Sequence, residues 1–300
     1  MKLLRALLAA CVVAALAGCA GQQFLNAITP DSGYALASDL VYDAATGEKL
    51  DVYTPPNARG APVVVFFFGG RWERGDKAEY KFVGQALAAR GFVAVIPNYR
   101  LYPQVRYPAF LRDCAHAVAW VHAHVAAYGG DPNKIVLMGH SAGAYNAAML
   151  TLDPEFLQQV GGSRAWIRGM IGLAGPYDFL PITDPDLREL FGPPENFPRT
   201  QPVLYVDGRN PPVLLMHGEQ DQTVSVKNTN ELYDRIQRAG GPVEKVLYPK
   251  LDHKWLIADV ATRFQGYADV MNHIEEFVRR VTSGSAPSAP PSSIQTIVPD

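Results

Sequence analysis

Residues 134–144 read Lys-Ile-Val-Leu-Met-Gly-His-Ser-Ala-Gly-Ala, and the rest of the chain is best understood outward from them. Residues 134–138 are a short apolar run with the look of a buried strand. Residues 139–143 follow as G-x-S-x-G, and an Ala-rich helical pattern comes after. A serine between two glycines at a strand-to-helix turn is held in a strained backbone, with crowding on both sides. The turn lifts its hydroxyl clear of the sheet and sets it at a helix N-terminus. Ser141 is therefore the candidate nucleophile.

Similar apolar runs recur at 62–68, 92–97, 169–173, 212–217 and 243–248. They lack the polar alternation of a half-exposed sheet, as parallel strands covered on both faces should. Helical patterns lie between them. In 107–128, Phe110, Cys114, Val118, Val121 and Val125 recur at steps of three and four, one apolar face. Leu232 and Ile236, then Phe264, Ile274 and Phe277, mark two more. Strands alternating with helices predict an α/β fold with a mainly parallel sheet and helices on both faces. Residues 38–53 add an antiparallel hairpin at its edge.

The sequence is 300 residues long, 48% hydrophobic and 19% charged, with a net charge of −2. That balance provides no basic face for nucleic acid. Lys2 and Arg5 make the start basic, and residues 3–16 form an apolar core that is short for a bilayer span. Leu16-Ala17-Gly18-Cys19 then resembles a bacterial lipobox. The resemblance implies a lipoprotein signal at 1–18, a lipid on Cys19 that anchors the protein to a membrane, and, with Ala20 rather than Asp next, the outer membrane. Residues 19–34 read as a tether and 35–281 as one domain. Residues 282–300, rich in Ser, Pro and Ala, read as a disordered tail. With Cys11 lost and Cys19 acylated, Cys114 is left as a single thiol and no intramolecular disulfide can form.

A serine hydroxyl needs a base to take its proton. Among seven histidines, His116, His122 and His124 lie within one helix; positions two apart do not share a face, so no metal site is expected there. His140 flanks the nucleophile and should pack locally. His217 should shape the turn after its strand, and His273 should lie on the surface. His253 sits in the loop 250–254 at the carboxyl edge of the sheet, where a catalytic base belongs. The base in turn needs a carboxylate to set its tautomer. Asp221 or Glu219, in the loop after strand 212–217, could serve. Asp221 lies deeper, in an H-G-x-x-D pattern, and is preferred; Asp252 should be solvated.

Serine, aspartate and histidine in that order along the sequence match the α/β-hydrolases. From about residue 50 to 278 the sequence resembles their H-G-G-G-W esterase group, which includes hormone-sensitive-lipase-like and feruloyl/acyl esterases and is similar to kynurenine formamidases. The shared stretches are GDKAEY (75–80), PNYRL (97–101), YGGDPNKIVLMGHSAGA (128–144) and PPVLLMHGEQD (211–221). The resemblance implies an α/β-hydrolase fold and a catalytic set of Ser141, Asp221 and His253. It also implies an oxyanion hole from the backbone N–H groups of Gly70, Arg71 and Ala142. The H-G-G-G-W motif is represented by Phe68-Gly69-Gly70-Arg71-Trp72, so a phenylalanine replaces the bracing histidine and an arginine the third glycine. The arginine keeps its N–H, and its guanidinium is expected free at the cleft mouth. The short stretch 175–211, where lids are usually inserted, implies no large lid. The expected activity is a serine carboxylic ester hydrolase that needs no cofactor or metal and acts on small or medium acyl esters through an acyl-enzyme. Amide cleavage by the same triad, or a catalytically silent binding protein on this scaffold, are the other readings.

Overall fold

The computed structural model describes residues 19–283 and 295–296. The leader expected at 1–18 lies outside them, as does most of the tail expected at 282–300. The apolar runs form strands β1 (Ala35–Asp43), β2 (Glu48–Thr54), β3 (Ala61–Phe67), β4 (Val93–Pro97), β5 (Gly130–His140), β6 (Ile167–Leu173), β7 (Val213–Gly218) and β8 (Val243–Tyr248), with a two-residue β9 (Gln295–Thr296). The helices are α1 (Cys19–Ala27), α2 (Lys81–Ala89), α3 (Ala109–His124), α4 (Ala142–Leu152), the single turn α5 (Glu155–Gln158), α6 (Pro185–Phe191), α7 (Lys227–Arg238), α8 (His253–Ala258) and α9 (Val270–Thr282).

The strands make one sheet in the order β1-β2-β4-β3-β5-β6-β7-β8-β9. Among the described residues, only the β1–β2 and β2–β4 pairings are antiparallel, so the predicted edge hairpin precedes a parallel sheet. In β3, Val63, Val64, Val65, Phe66 and Phe67 are all completely buried. Each such side chain contributes roughly 1.5–3 kcal/mol through burial, which is why these strands read as unbroken apolar runs. Helices α2 and α9 cover one face and are tied by an Arg90–Glu275 ion pair. Helices α3, α4 and α7 cover the other. The apolar stripe read in α3 is the face it buries, with Phe110, Cys114, Val118 and Val121 inaccessible to solvent.

Strand β3 lies between β4 and β5, so the direction of strand addition reverses there. A crevice opens outside the carboxyl ends of the strands at such a reversal. Phe68, Ser141, Gly218 and, further on, His253 all fall at that edge.

Two boundaries differ from the sequence reading. Residues 19–27 form helix α1, with Leu25 buried against the domain, where a bare tether was expected. Its apolar positions are too few to show as a helical stripe; tertiary contact orders them. Helix α9 also runs through Thr282, whose hydroxyl bonds the Val278 carbonyl, and β9 pairs with β8 within the stretch read as a disordered tail. Among the described residues, no helix is long and apolar enough to cross a membrane.

Candidate active site

Ser141 sits between β5 and α4 at φ 55° and ψ −124°, backbone angles that cost a non-glycine residue about 1–3 kcal/mol. The surroundings impose them. The Ser141 N–H donates to the Leu173 carbonyl at the end of β6 (2.9 Å), and its own carbonyl accepts from the N–H groups of Ala144 and Tyr145 (3.0 and 3.2 Å). At Gly143 the backbone passes so close to β3 that a Cβ would stand 1.9 Å from the Phe67 carbonyl oxygen. The second glycine of G-x-S-x-G is thus required by contact with the neighbouring strand.

Asp221 and His253 meet across the ends of β7 and α8. The His253 Nδ1–H donates to Asp221 Oδ2 at 2.6 Å, which leaves the Nε2 lone pair free. The Asp221 carboxylate is completely buried, and its other oxygen, Oδ1, accepts from the N–H groups of Thr223 and Val224 (2.8 and 2.9 Å). Burial by itself raises a carboxyl pKa, but hydrogen bonds from His217, His253 and Val224 outweigh it and hold Asp221 well below the usual carboxylate range. Glu219 is exposed, and of the two candidate acids it is Asp221 that bonds His253. His253 is not in a free loop: it opens α8. Asp252 is not simply solvated either, because its side chain caps that helix by accepting from Lys254 N and Trp255 N.

Two further histidines brace this pair. His217 is fully buried. Its Nε2 lies 2.9 Å from the Val224 carbonyl and 3.2 Å from Asp221 Oδ2, and its Nδ1 lies 2.7 Å from the Thr229 hydroxyl. Because a carbonyl can only accept, Nε2 carries the proton and Nδ1 accepts from Thr229. His217 does shape the turn, as read, but it also contacts the acid. His140 donates from Nε2 to the His253 carbonyl (3.0 Å), and its ring lies 4.6 Å from that of His253. Burial and the nearby His253 push the His140 pKa well down, so it is a neutral spacer. The sequence carried one hint of these braces: His217 and Asp221 are four residues apart at a strand end.

The loop after β3 is held by side chains. Phe68 is buried and stacks on Tyr80 and Tyr99 (ring centroids 5.6 and 4.5 Å apart), and the Tyr99 hydroxyl donates to the Phe68 carbonyl at 2.7 Å. Aromatic packing thus replaces a bracing histidine. Gly70 has φ 124°, and Arg71 and Trp72 both have φ 60°. The Gly70 carbonyl accepts from Glu73 N and Arg74 N. Trp72 donates from Nε1 to Asn146 Oδ1 (2.9 Å) and packs edge-on against Tyr145 and Phe191. The Arg71 guanidinium is not free at the cleft mouth: it pairs with Asp184 (3.1 Å), the N-cap of α6, and with Glu73 (3.4 Å). Two carboxylates neutralise the cation there.

Among the described residues, nothing accepts a hydrogen bond from the N–H of Gly70 or of Arg71. Ala142, the first residue of α4, has no intrahelical acceptor for its N–H either. Gly70, Arg71, Ser141 and His253 line one cleft of about 320 Å³. The arrangement therefore sets a hydroxyl, a base with a free lone pair, and unpartnered N–H donors around one space. Cys114 is buried apart from it, in contact with Asn146, and burial pushes its thiol pKa well up. No group of three or more His, Cys, Asp or Glu side chains among the described residues could hold a metal ion.

A sequence profile of the BD-FAE family matches residues 50–236. The protein belongs to that family of α/β-hydrolases. It is 32% identical over 236 residues to an isoprenylcysteine alpha-carbonyl methylesterase of Arabidopsis thaliana, covering 71% of this chain and 55% of that protein. It is 29% identical over 218 residues to esterase LipC of Mycobacterium tuberculosis, covering 66% and 54%. The chain thus spans about half the length of the curated relatives it matches. Among solved structures, a propionate-bound esterase 2 from Thermogutta terrifontis superposes with a TM-score of 0.69 at 25% identity, covering 86% of this chain and 98% of that one.

Proposed function

We propose that this protein is a serine carboxylic ester hydrolase that cleaves small or medium acyl esters through an acyl-enzyme. The observation that carries the reading is the 2.6 Å Asp221–His253 pair opening onto the cleft that Ser141 and the free N–H groups of Gly70 and Arg71 also line. Ser141 Oγ attacks the ester carbonyl as His253 Nε2 takes its proton, with Asp221 stabilising the imidazolium. The carbonyl oxygen, now negative, accepts from the N–H groups of Gly70, Arg71 and Ala142, each worth about 10² to 10³ in rate. Collapse expels the alcohol, which leaves with the proton from His253. Water then repeats the sequence: it loses a proton to His253, adds to the acyl carbon, and the acid departs as Ser141 recovers its proton.

A small acyl group is favoured by the likeness to an esterase solved with propionate, and a small alcohol by the likeness to a relative named as a methylesterase. Labelling by a fluorophosphonate and turnover of p-nitrophenyl butyrate test the reading; both should vanish in Ser141→Ala, by a factor on the order of 10⁴ or more for turnover. A Ser141→Ala protein that kept several per cent of wild-type turnover would refute the nucleophile assignment. Turnover of anilides above that of matched esters would favour the amide-cleaving reading. A wild type that neither labels nor turns over would favour the silent binder.

The lipid anchor belongs to the same proposal. The lipobox-like Leu16-Ala17-Gly18-Cys19 supports acylation of Cys19 and placement at a bacterial outer membrane. Several acyl groups, at about 0.8 kcal/mol per buried CH₂, would hold the protein there stably. Cys19→Ser should lose palmitate label and leave the detergent phase; wild type recovered without label would reject the anchor.

A further inference from the structure

Helix α1 does more than lead into the domain. Gly21, Gln22 and Leu25, on one face of it, line the same cleft as Ser141 and His253. Leu25 is 3% exposed. The helix is latched by Asn26, whose Nδ2 donates to the Ala78 carbonyl (2.7 Å) and whose Oδ1 accepts from Phe82 N–H (3.1 Å). Lys81 adds an ion pair to Asp31 and a bond to the Thr29 carbonyl (3.4 Å) just beyond the helix. The segment that receives these bonds also supplies Tyr80 and Phe82 to the cleft. On the catalytic side Ile257, one helical turn after His253, completes an apolar lining with Leu25, Tyr80 and Phe82.

We infer that α1 is a wall of the substrate pocket, and that Gln22 and Leu25 limit the length of the apolar group an ester can carry. This rests on the ester-hydrolase reading and adds specificity-determining residues to it. The physical basis is that an apolar pocket discriminates by the methylenes it can bury, and a change of one or two of them alters kcat/KM by about tenfold or more. Leu25 sits where truncation to alanine lengthens the pocket. Gln22, half-exposed at its rim, sits where a larger ring shortens it.

The test uses the full-length protein and two substrate series: p-nitrophenyl esters from acetate to octanoate, and acetates of alcohols from methanol to octanol. Gln22→Trp should lower the octyl-to-methyl (or octanoate-to-acetate) ratio of kcat/KM about tenfold in one series, and Leu25→Ala should raise it in the same series. The responding series says whether the acyl or the alcohol group lies along α1. Gln23→Trp, on the exposed side of the helix, should leave both ratios alone. Because the ratios move in opposite directions, general loosening of the fold cannot produce the pattern. Should Leu25→Ala fail to fold, Gln22→Trp against Gln23→Trp decides alone. Ratios unmoved in both series, in protein that still turns over acetate, overturn the wall. Wild type with no turnover and no fluorophosphonate label overturns the hydrolase reading and the wall with it.

Discussion

The serine turn at 139–143 and the loop at 68–72 stand side by side at the ends of paired strands β5 and β3. Both hold non-glycine residues at positive φ: Ser141 in one, Arg71 and Trp72 in the other. They are held in opposite ways. The first is fixed by backbone, through the Leu173 carbonyl and the close passage of Gly143 over β3. The second is fixed by side chains from elsewhere: Tyr80 and Tyr99 on Phe68, Asn146 on Trp72, Asp184 on Arg71. A turn held by sterics tolerates almost no change, whereas one held by partners tolerates whatever new partners can supply.

The contrast can be broken at its rigid end first. Gly143→Ala forces a methyl into the Phe67 carbonyl, so β3 or α4 must shift. Overpacking of this kind costs about 1–3 kcal/mol, and the displaced Ser141 should lose turnover by more than about a hundredfold. A variant with wild-type melting and turnover would show that the turn is not sterically locked.

In the loop, Trp72→Phe keeps the ring packing and removes the donor to buried Asn146. An unsatisfied buried carbonyl costs about 1–3 kcal/mol, visible in thermal melting. Turnover should fall by about tenfold to a hundredfold as the N–H donors lose their aim. Loss of stability without loss of rate would separate the Trp72 anchor from the oxyanion donors.

A third comparison uses pH. His140 braces His253 as a neutral ring, with its pKa pushed down by burial. Above about pH 6.5 it is neutral in both the folded and unfolded states and contributes no pH dependence. As pH falls below that, the unfolded state gains a proton that the folded one resists, and stability drops by up to about 1.4 kcal/mol per pH unit. His140→Gln keeps a donor for the His253 carbonyl and should flatten this slope, measured by melting from about pH 7 to pH 5. Asp221, with its folded pKa lowered, contributes stability above about pH 4 and loses it only below, so the two windows are distinct.

The smallest effect belongs to Arg71→Gly. The guanidinium and Asp184 side chains are each 40% exposed, and an exposed pair is worth at most about 1 kcal/mol. Glycine also relieves the positive φ and keeps the N–H. Neutral esters and esters with a free carboxylate should change alike, by less than about threefold in kcat/KM. A loss confined to the carboxylate-bearing esters would mean that Arg71 leaves Asp184 for substrate.

Much of this was present in the sequence alone. The apolar runs announced buried parallel strands, because a strand covered on both faces has no polar positions to alternate. G-x-S-x-G announced its turn, because its steric requirements lie within five consecutive residues. Asp221 and His253 could be placed on loops at one sheet edge by their order after successive strands. What the tertiary structure alone decided are contacts between residues far apart in sequence. Asp221 rather than Glu219 meets His253 because β7 and α8 turn one side chain inward and leave the other exposed. Arg71 is neutralised by Asp184, 113 residues on; His140 meets the carbonyl of His253 over the same separation. Residues 19–27 read as a tether because nine residues with two large apolar side chains have too little to bury alone; the groove beside Tyr80 and Phe82 makes them a helix and a wall. Local sterics and periodicity are properties of neighbours in sequence, while partner choice depends on which strand ends the sheet brings together.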